Sequence, residues 1–436
     1  MNVGILGGTK GLGKSIAIFL KKEGFSVTIT GRDEVQGNQT AKEIGVSYSK
    51  DNKKIANLSD ILIISVPIGT IESVIKEIAD STKEGSVIID VASVKEKPAE
   101  IMEKYLKNNV EFIPTHPIFG PRTQSLNGQV MVLTPIKKGK WYKKLIKFLK
   151  SHNTRIVETE PKEHDDMMAI VQILTHYTYI STAYAIKKLG VNIKQTRKFA
   201  SPIYNLMVDM IARIVSQNPI LTYSIQKENE NGEHVREVFL ESAKEIEKAL
   251  KRNDKDKFTE IAISATKNMD DIQDALGRSD KAIASQTHEL ALLKNSINNE
   301  IVVKHIYSNE IHCGILKEMD PEYIVLERGK RSTKLKIANI KVLNESEIQE
   351  WKKANYPNEK YNLSCIFPLS SNADIIKLAI ESMNDIITVE IVETWINPQI
   401  PKNMLGITFK IETFNKNSIK EVETFLKGFG AEIYGK

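Results

Sequence analysis

Cysteine is nearly absent, with two in 436 residues, Cys313 and Cys365. That excludes a disulfide framework and a cysteine metal cage, and suits unpaired thiols in a reducing cytosol. No stretch approaches the ~20 apolar residues of a membrane span. The chain opens directly on an apolar strand, without a basic n-region or a cleavage site, so no signal peptide is expected. An excess of one charge is lacking too. The 61 Lys and Arg against 55 Asp and Glu leave +6, spread without a dense basic run. That argues against a nucleic-acid partner. No His, Cys, Asp and Glu cluster has metal-ligand spacing, so no metal is expected. The expectation is a soluble, cytoplasmic protein.

What is present is apolar content of 41%, enough to fold, and length enough for several domains. The first part alternates strands (Asn2–Leu6, Ser26–Thr30, Ile61–Val66, Ser86–Val91, Glu111–Pro114, Val130–Thr134) with helices (Gly13–Glu23, Ile71–Ile78, Lys97–Leu106). Such alternation predicts a parallel sheet covered on both faces, binding ligands beyond its strands' carboxyl ends. From His164 helical spacing takes over, in Asp165–Lys188, Ile193–Phe199, Ile203–Ser216, Val235–Lys251, Lys255–Leu276 and Asp280–Ile297. Short strands follow at Ile301–Tyr307, Ile311–Lys317, Tyr323–Glu327 and Thr333–Ile337, then a polar segment, Asn344–Lys360. The tail reads strand (Asn362–Pro368), helix (Ala373–Met383), strand (Thr388–Thr394), strand (Gly406–Glu412), helix (Ser418–Phe429), strand (Ala431–Tyr434). This βαββαβ order predicts a ferredoxin-like unit. The expected class is therefore α/β, with a Rossmann-type dinucleotide-binding domain (1–157), an all-helical domain (158–298), a small β unit (299–350) and a ferredoxin-like domain (358–436).

The first strand runs into Gly7-Gly8-Thr9-Lys10-Gly11-Leu12-Gly13 and then a helix. Glycines let backbone N–H groups approach a pyrophosphate, and a helix N-terminus favours its charge. Gly8 and Gly13 fit the outer positions of G-x-G-x-x-G, Lys10 replaces the middle glycine, and Gly7 and Gly11 are left to make the turn. Strand before and helix behind favour this reading over a purely structural turn. Val66, ending the third strand, and Pro67 just past it join the expected cofactor contacts. After the second strand come Gly31 and Arg32 rather than an acidic residue, which favours NADP+ within NAD(P)+. Asp33 remains within reach of a ribose, and Arg32 as a solvated turn residue is the plainer alternative.

Three segments suggest chemistry: Asp90-Val91-Ala92-Ser93-Val94-Lys95, Pro114-Thr115-His116-Pro117-Ile118-Phe119-Gly120-Pro121, and Ser201-Pro202-Ile203-Tyr204 opening a helix that reaches Arg213. His116, in a proline-flanked loop past a strand, is placed to accept a hydroxyl proton as hydride leaves the same carbon. A packed loop histidine is the bland alternative. Ser93 suits a bond to substrate or coenzyme, or a helix N-cap. Arg213 suits a carboxylate, or an i,i+4 pair with Asp209.

Together with Glu163-His164-Asp165 and Gln217-Asn218-Pro219, these segments resemble the prephenate/arogenate dehydrogenase family over about residues 1–290. The resemblance implies oxidative decarboxylation of prephenate to 4-hydroxyphenylpyruvate with hydride passing to NAD(P)+, in tyrosine biosynthesis, by a homodimer. It implies His116 and Ser93 as catalytic, and Arg213, His176 and Thr115 at the substrate. Alone, His176 reads as a helix-surface histidine and Asp165 as its own helix's N-cap. Where some family members carry an arginine after Pro-Ile-Tyr, this chain has Asn205. Arogenate as substrate, another NADP-linked oxidoreductase and a nucleotide-sensing regulator remain alternatives. The terminal unit is expected to sense an effector such as tyrosine.

Overall fold

A computed structural model describes the chain except residues 124, 270, 357, 384, 397–399, 435 and 436, and the side chain of residue 286. Two compact units divide it, Met1–Asp271 and Ile272–Lys436.

The first unit begins with β1 (Asn2–Leu6), α1 (Gly11–Lys22), β2 (Ser26–Ile29), α2 (Glu34–Ile44), β3 (Ser47–Tyr48), α3 (Asn52–Leu58), β4 (Ile61–Ile64), α4 (Ile71–Ile78), β5 (Val87–Asp90), α5 (Glu96–Tyr105) and β6 (Glu111–Phe112). The strands form one parallel sheet in the order β3-β2-β1-β4-β5-β6. That is the Rossmann order, whose reversal between β1 and β4 opens a crevice at the strand ends. Apolar layers cover both faces. Ile71, Ile75 and Ile78 of α4 pack with Leu62 and Ile64 on one, and Ala17 and Leu20 of α1 pack with Ile5 and Ile29 on the other.

The sequence pattern did not expose α2 and α3, which carry few apolar residues. Side-chain caps start them: Asp33 accepts from Gln36 N–H and Asp51 from Lys54 N–H, each at 3.0 Å. A smaller sheet follows. β7 (Thr115–Pro117) pairs antiparallel with β8 (Val130–Leu133), and β8 pairs parallel with β9 (Arg155–Glu158), with α6 (Lys140–Ser151) between β8 and β9.

The helices are α7 (Pro161–Met168), a π-helical segment (Ala169–Leu174), α8 (Thr175–Lys188), α9 (Ile193–Thr196), α10 (Pro202–Val215), α11 (Pro219–Glu228), α12 (Gly232–Lys251) and α13 (Lys255–Thr266). The helix expected from Asp165 starts at Pro161, a residue suited to a first turn. Ile173 of the π segment and Ile225 of α11 pack on Ile68 and Val94, which docks the helices against the dinucleotide-binding fold. The expected helix Lys255–Leu276 ends at Thr266 and crosses residue 270, outside the described residues.

In the second unit, α14 (Ile272–Asn295) precedes β10 (Glu300–His305), β11 (Ile311–Met319), β12 (Tyr323–Arg328), β13 (Arg331–Lys336) and β14 (Ile340–Val342). The sheet is antiparallel in the order β13-β12-β11-β10-β14. Leu293 of α14 lies in its core with Ile301, Val303 and Leu316. The boundary between the two compact units, Asp271/Ile272, puts α14 with this small sheet. Helix α15 (Glu345–Asn355), started by an Asn344/Glu347 capping box, occupies most of the expected polar segment. Then come β15 (Glu359–Pro368), α16 (Ala373–Glu381), β16 (Ile386–Trp395), β17 (Met404–Thr413), α17 (Ser418–Gly428) and β18 (Glu432–Tyr434). Their antiparallel order β16-β17-β15-β18 is the ferredoxin-like arrangement.

Candidate active site

Backbone geometry at the end of β1 builds an anion cradle. Gly7 has φ +84°, and a Cβ there would lie 2.3 Å from the Ser65 carbonyl oxygen. Gly13 lets α1 close on the loop, where a Cβ would stand 2.4 Å from Gly7 O. Helix α1 has Lys10 at its N-cap position, with no side-chain cap and no acidic residue in its first turn. Its first N–H groups therefore face outward at the positive end of the helix dipole, a donor set that fits a pyrophosphate. Thr9, Leu12 and Val66 are half-buried around this loop, while Lys10, Gly11 and Pro67 are exposed. Gly8 is buried and donates its N–H to Thr30 O at 3.0 Å. Past β2, Arg32 is exposed, and the Asp33 carboxylate is engaged as the cap of α2.

His116 is in strand β7, paired opposite Val132, not in the expected loop. Antiparallel pairing with β8 takes up the segment, and Pro117 is tolerated because β7 is an edge strand. The imidazole is 4% exposed, and its Nδ1 lies 2.9 Å from Nε2 of His164 on α7. His164 Nδ1 lies 2.6 Å from Asp165 Oδ1. Asp165 is not its own helix's cap. It reaches across to α5, where Oδ1 accepts from Lys95 N–H at 2.8 Å and Oδ2 from Glu96 N–H at 3.0 Å. Asn229 Nδ2 in turn donates to the Asp165 carbonyl at 2.8 Å.

Beneath this chain lies a wholly buried ion pair, Lys95 Nζ with Asp90 Oδ2. Ala92 N–H also donates to Asp90 Oδ2, at 2.9 Å. Burial pushes the Asp90 carboxyl up and the Lys95 ammonium down, and their mutual attraction opposes both shifts. Burial first, then His164 and Lys95, hold His116 well below the ordinary imidazole value.

Thr115, expected at the substrate, is buried, and its hydroxyl donates to the Asp90 carbonyl at 2.7 Å. It ties β7 to the end of β5. Ser93 is half-buried and does not cap α5, whose N-cap position is Lys95. His176 is 8% exposed rather than on the helix surface, and its buried Nδ1 has no partner among the described residues. Arg213 is exposed on α10, which packs on α8. Its alternative partner Asp209 pairs with Arg197, whose guanidinium also donates to Asn205 at 3.0 Å. Among the described residues, no hydrogen bond joins Ser93, His176 or Arg213 to the His116 chain. Sequence reading missed the parts played by His164, Asp165, Asp90 and Lys95. The available signal was charged residues at the end of β5, just before α5 and in the first turns of α7.

Residues 16–158 match the model of the prephenate dehydrogenase nucleotide-binding domain, and residues 160–263 that of its dimerization domain. A Methanocaldococcus jannaschii protein, "Probable arogenate/prephenate dehydrogenase", is 38% identical over 432 residues, 98% of this chain and 96% of its own length. The chain belongs to the prephenate dehydrogenase family. It is thus an NAD(P)-linked oxidoreductase of that family, which displaces the readings as an unrelated oxidoreductase or a regulator. The "T-protein" of Enterobacter agglomerans is 27% identical over 58% of this chain and 64% of that protein. The solved prephenate dehydrogenase of Aquifex aeolicus shares the fold, with TM-score 0.50 at 21% identity over 61% of this chain and 98% of that one. No helix among the described residues is long and apolar enough to cross a membrane.

Proposed function

We propose that this family member catalyses oxidative decarboxylation of prephenate to 4-hydroxyphenylpyruvate, with His116 as the base. The observation that supports it best is a buried, neutral imidazole anchored through His164, in the same α/β fold as an uncapped glycine-loop helix. NAD(P)+ held by its pyrophosphate at the Gly7–Gly13 loop and the start of that helix would supply the acceptor for the hydride on the ring carbon bearing the hydroxyl. His116 takes the hydroxyl proton as that C–O bond becomes a carbonyl. Loss of the ring carboxylate as carbon dioxide then returns an electron pair to the ring. The oxygen recovers its proton as the ring becomes aromatic. Arg213 offers a guanidinium to a carboxylate, and Ser93 and His176 offer a hydroxyl and a ring nitrogen to orient the substrate. Arogenate is the second reading, favoured by the double name of the Methanocaldococcus jannaschii relative.

NADP+ is the proposed coenzyme, because Arg32 is exposed past the end of β2 while Asp33 is engaged as a cap. The test is absorbance at 340 nm with prephenate or arogenate and either coenzyme. Turnover is expected to be fastest with prephenate and NADP+. Arg32→Ala should raise KM for NADP+ about ten-fold, as loss of one charge-assisted contact of ~1.5 kcal/mol implies, and leave that for NAD+ unchanged. Equal effects on both coenzymes would remove Arg32 from the 2′-phosphate.

We propose a cytoplasmic homodimer. The two buried free thiols suit the compartment. Phe199, Ile203, Ile220 and Tyr223, all exposed in one copy, supply apolar surface for a second. The terminal ferredoxin-like unit is proposed to sense tyrosine, on its element order. Deleting 362–436 should abolish a tyrosine response and spare turnover. A retained response would refute the assignment.

A further inference from the structure

The hydrogen-bond chain behind His116 has a direction. Both oxygens of Asp165 already accept from backbone N–H groups, Oδ1 from Lys95 and Oδ2 from Glu96. Towards His164 the carboxylate is thus again the acceptor, so the 2.6 Å contact requires a proton on His164 Nδ1. With one ring proton, and that on Nδ1, His164 has a bare Nε2. The 2.9 Å contact to His116 Nδ1 therefore requires a proton on that nitrogen. His116, neutral as well, is left with an unprotonated Nε2, the only form that can take a proton at that atom.

We propose that His164 and Asp165 are positioning residues of the dehydrogenase. They fix the tautomer of His116 through two successive hydrogen bonds and share the positive charge when His116 Nε2 takes the substrate's hydroxyl proton. The step balances within the chain. The O–H bond breaks and the Nε2–H bond forms. The Nδ1 proton shifts along the 2.9 Å contact toward His164 Nε2, so the charge lies next to the Asp165 carboxylate. Every proton retraces its path when the product oxygen is reprotonated. Nothing is oxidised in the relay itself, and no co-reactant is needed.

The surroundings explain why such a relay is required. The side chains of Lys95 and His164 are wholly buried, so a lone imidazolium at His116 would face a buried ammonium without water to screen it. Asp90 is engaged by its ion pair with Lys95 and by the Ala92 N–H, and it has no hydrogen bond to His116 or His164 among the described residues. Asp165 is the remaining anion bonded to this chain, and it is reached only through His164. The same carboxylate closes the N-terminus of α5, so the relay is anchored to a helix end and not to a mobile side chain.

This inference rests on His116 being the base, and the experiment separates the two ideas. The full-length, coenzyme-free protein is labelled with 15N-histidine, and its eight histidines are assigned by single substitution. Wild type should show His116 with a protonated Nδ1 and a bare Nε2. His164→Leu removes the acceptor. The His116 signals should then move to an averaged or Nε2–H pattern. kcat with prephenate should fall on the order of 10²-fold while coenzyme binding, followed by tryptophan fluorescence, holds. His164→Gln places an amide oxygen near the lost Nε2, so it should restore the His116 pattern and most of kcat. Asp165→Asn should scramble the pattern, but it also uncaps α5, so the His164 pair carries the test. A wild-type His116 protonated at Nε2 would overturn the relay, as would a His164→Leu enzyme with unchanged signals and kcat. Absence of turnover by wild type would refute the base assignment instead, while the signals still report on the relay.

Discussion

His116→Asn should lower kcat with prephenate by roughly 10²–10⁴-fold, with coenzyme affinity unchanged, because the loss falls on proton transfer and not on the glycine loop. The wild-type acid limb should lie well below pH 6.5, since burial, His164 and Lys95 keep His116 unprotonated. Stability carries the same signature with a definite sign. As pH falls through ~6.5 the unfolded chain binds a proton that folded His116 refuses, so stability present above that pH is lost on acidification, by up to ~1.4 kcal/mol per unit. His176, lowered by burial as well, adds to the slope. Chemical denaturation at several pH values should show a shallower acid decline in His116→Asn than in wild type. An unchanged kcat would mean that His116 is packing alone, and an unchanged slope that its burial does not keep it neutral.

Lys95→Met should destabilise the first unit by about 3–5 kcal/mol, the usual cost of leaving one partner of a buried ion pair alone. Asp90 is wholly buried, its Oδ1 has no partner among the described residues, and without Lys95 no ion pair would remain on its carboxylate beside the Ala92 N–H bond to Oδ2. For a unit of this size the loss corresponds to a fall in unfolding midpoint on the order of 10 °C. Replacing both residues, Asp90→Leu with Lys95→Met, should recover most of it, since an apolar pair of similar volume carries no desolvation cost. Calorimetry on the two variants decides the matter. A Lys95→Met midpoint within about 2 °C of wild type would show that the pair contributes no net stability. The double variant should still lose activity, because Lys95 and Asp90 flank the strand end that carries Ser93.

Legibility in the sequence followed burial and periodicity. β1, β2, β4 and β5 are short apolar runs between turn residues, and all four form where the pattern places them. α2 is helical for a local reason that periodicity does not register, an Asp33 cap ahead of a polar segment whose Gly37 accommodates the Tyr48 ring. His116 was legible as a reactive residue through its proline-rich segment, but not its backbone state, because pairing with Val132 is a contact between distant parts of the chain. Asp165 is the clearest limit. An acidic residue near a helix start suggests a cap for that helix. Which helix it caps depends on how α5 and α7 dock, a tertiary fact with no local signature.

The π-helical segment Ala169–Leu174 sets how far sequence drift can go in this family member. It separates His164 and Asp165 on α7 from His176 on α8, and Gln226 bonds the Ile173 carbonyl at 2.9 Å within it. A residue gained or lost there turns everything downstream by ~100° about the helix axis. The helix survives such a change, but His176 is rotated relative to His164 and Asp165. Surface loops absorb insertions freely, whereas this stretch fixes a count. A change of length is therefore better absorbed in the connections between helices, and the spacing from His164 to His176 acts as a ruler built into the backbone.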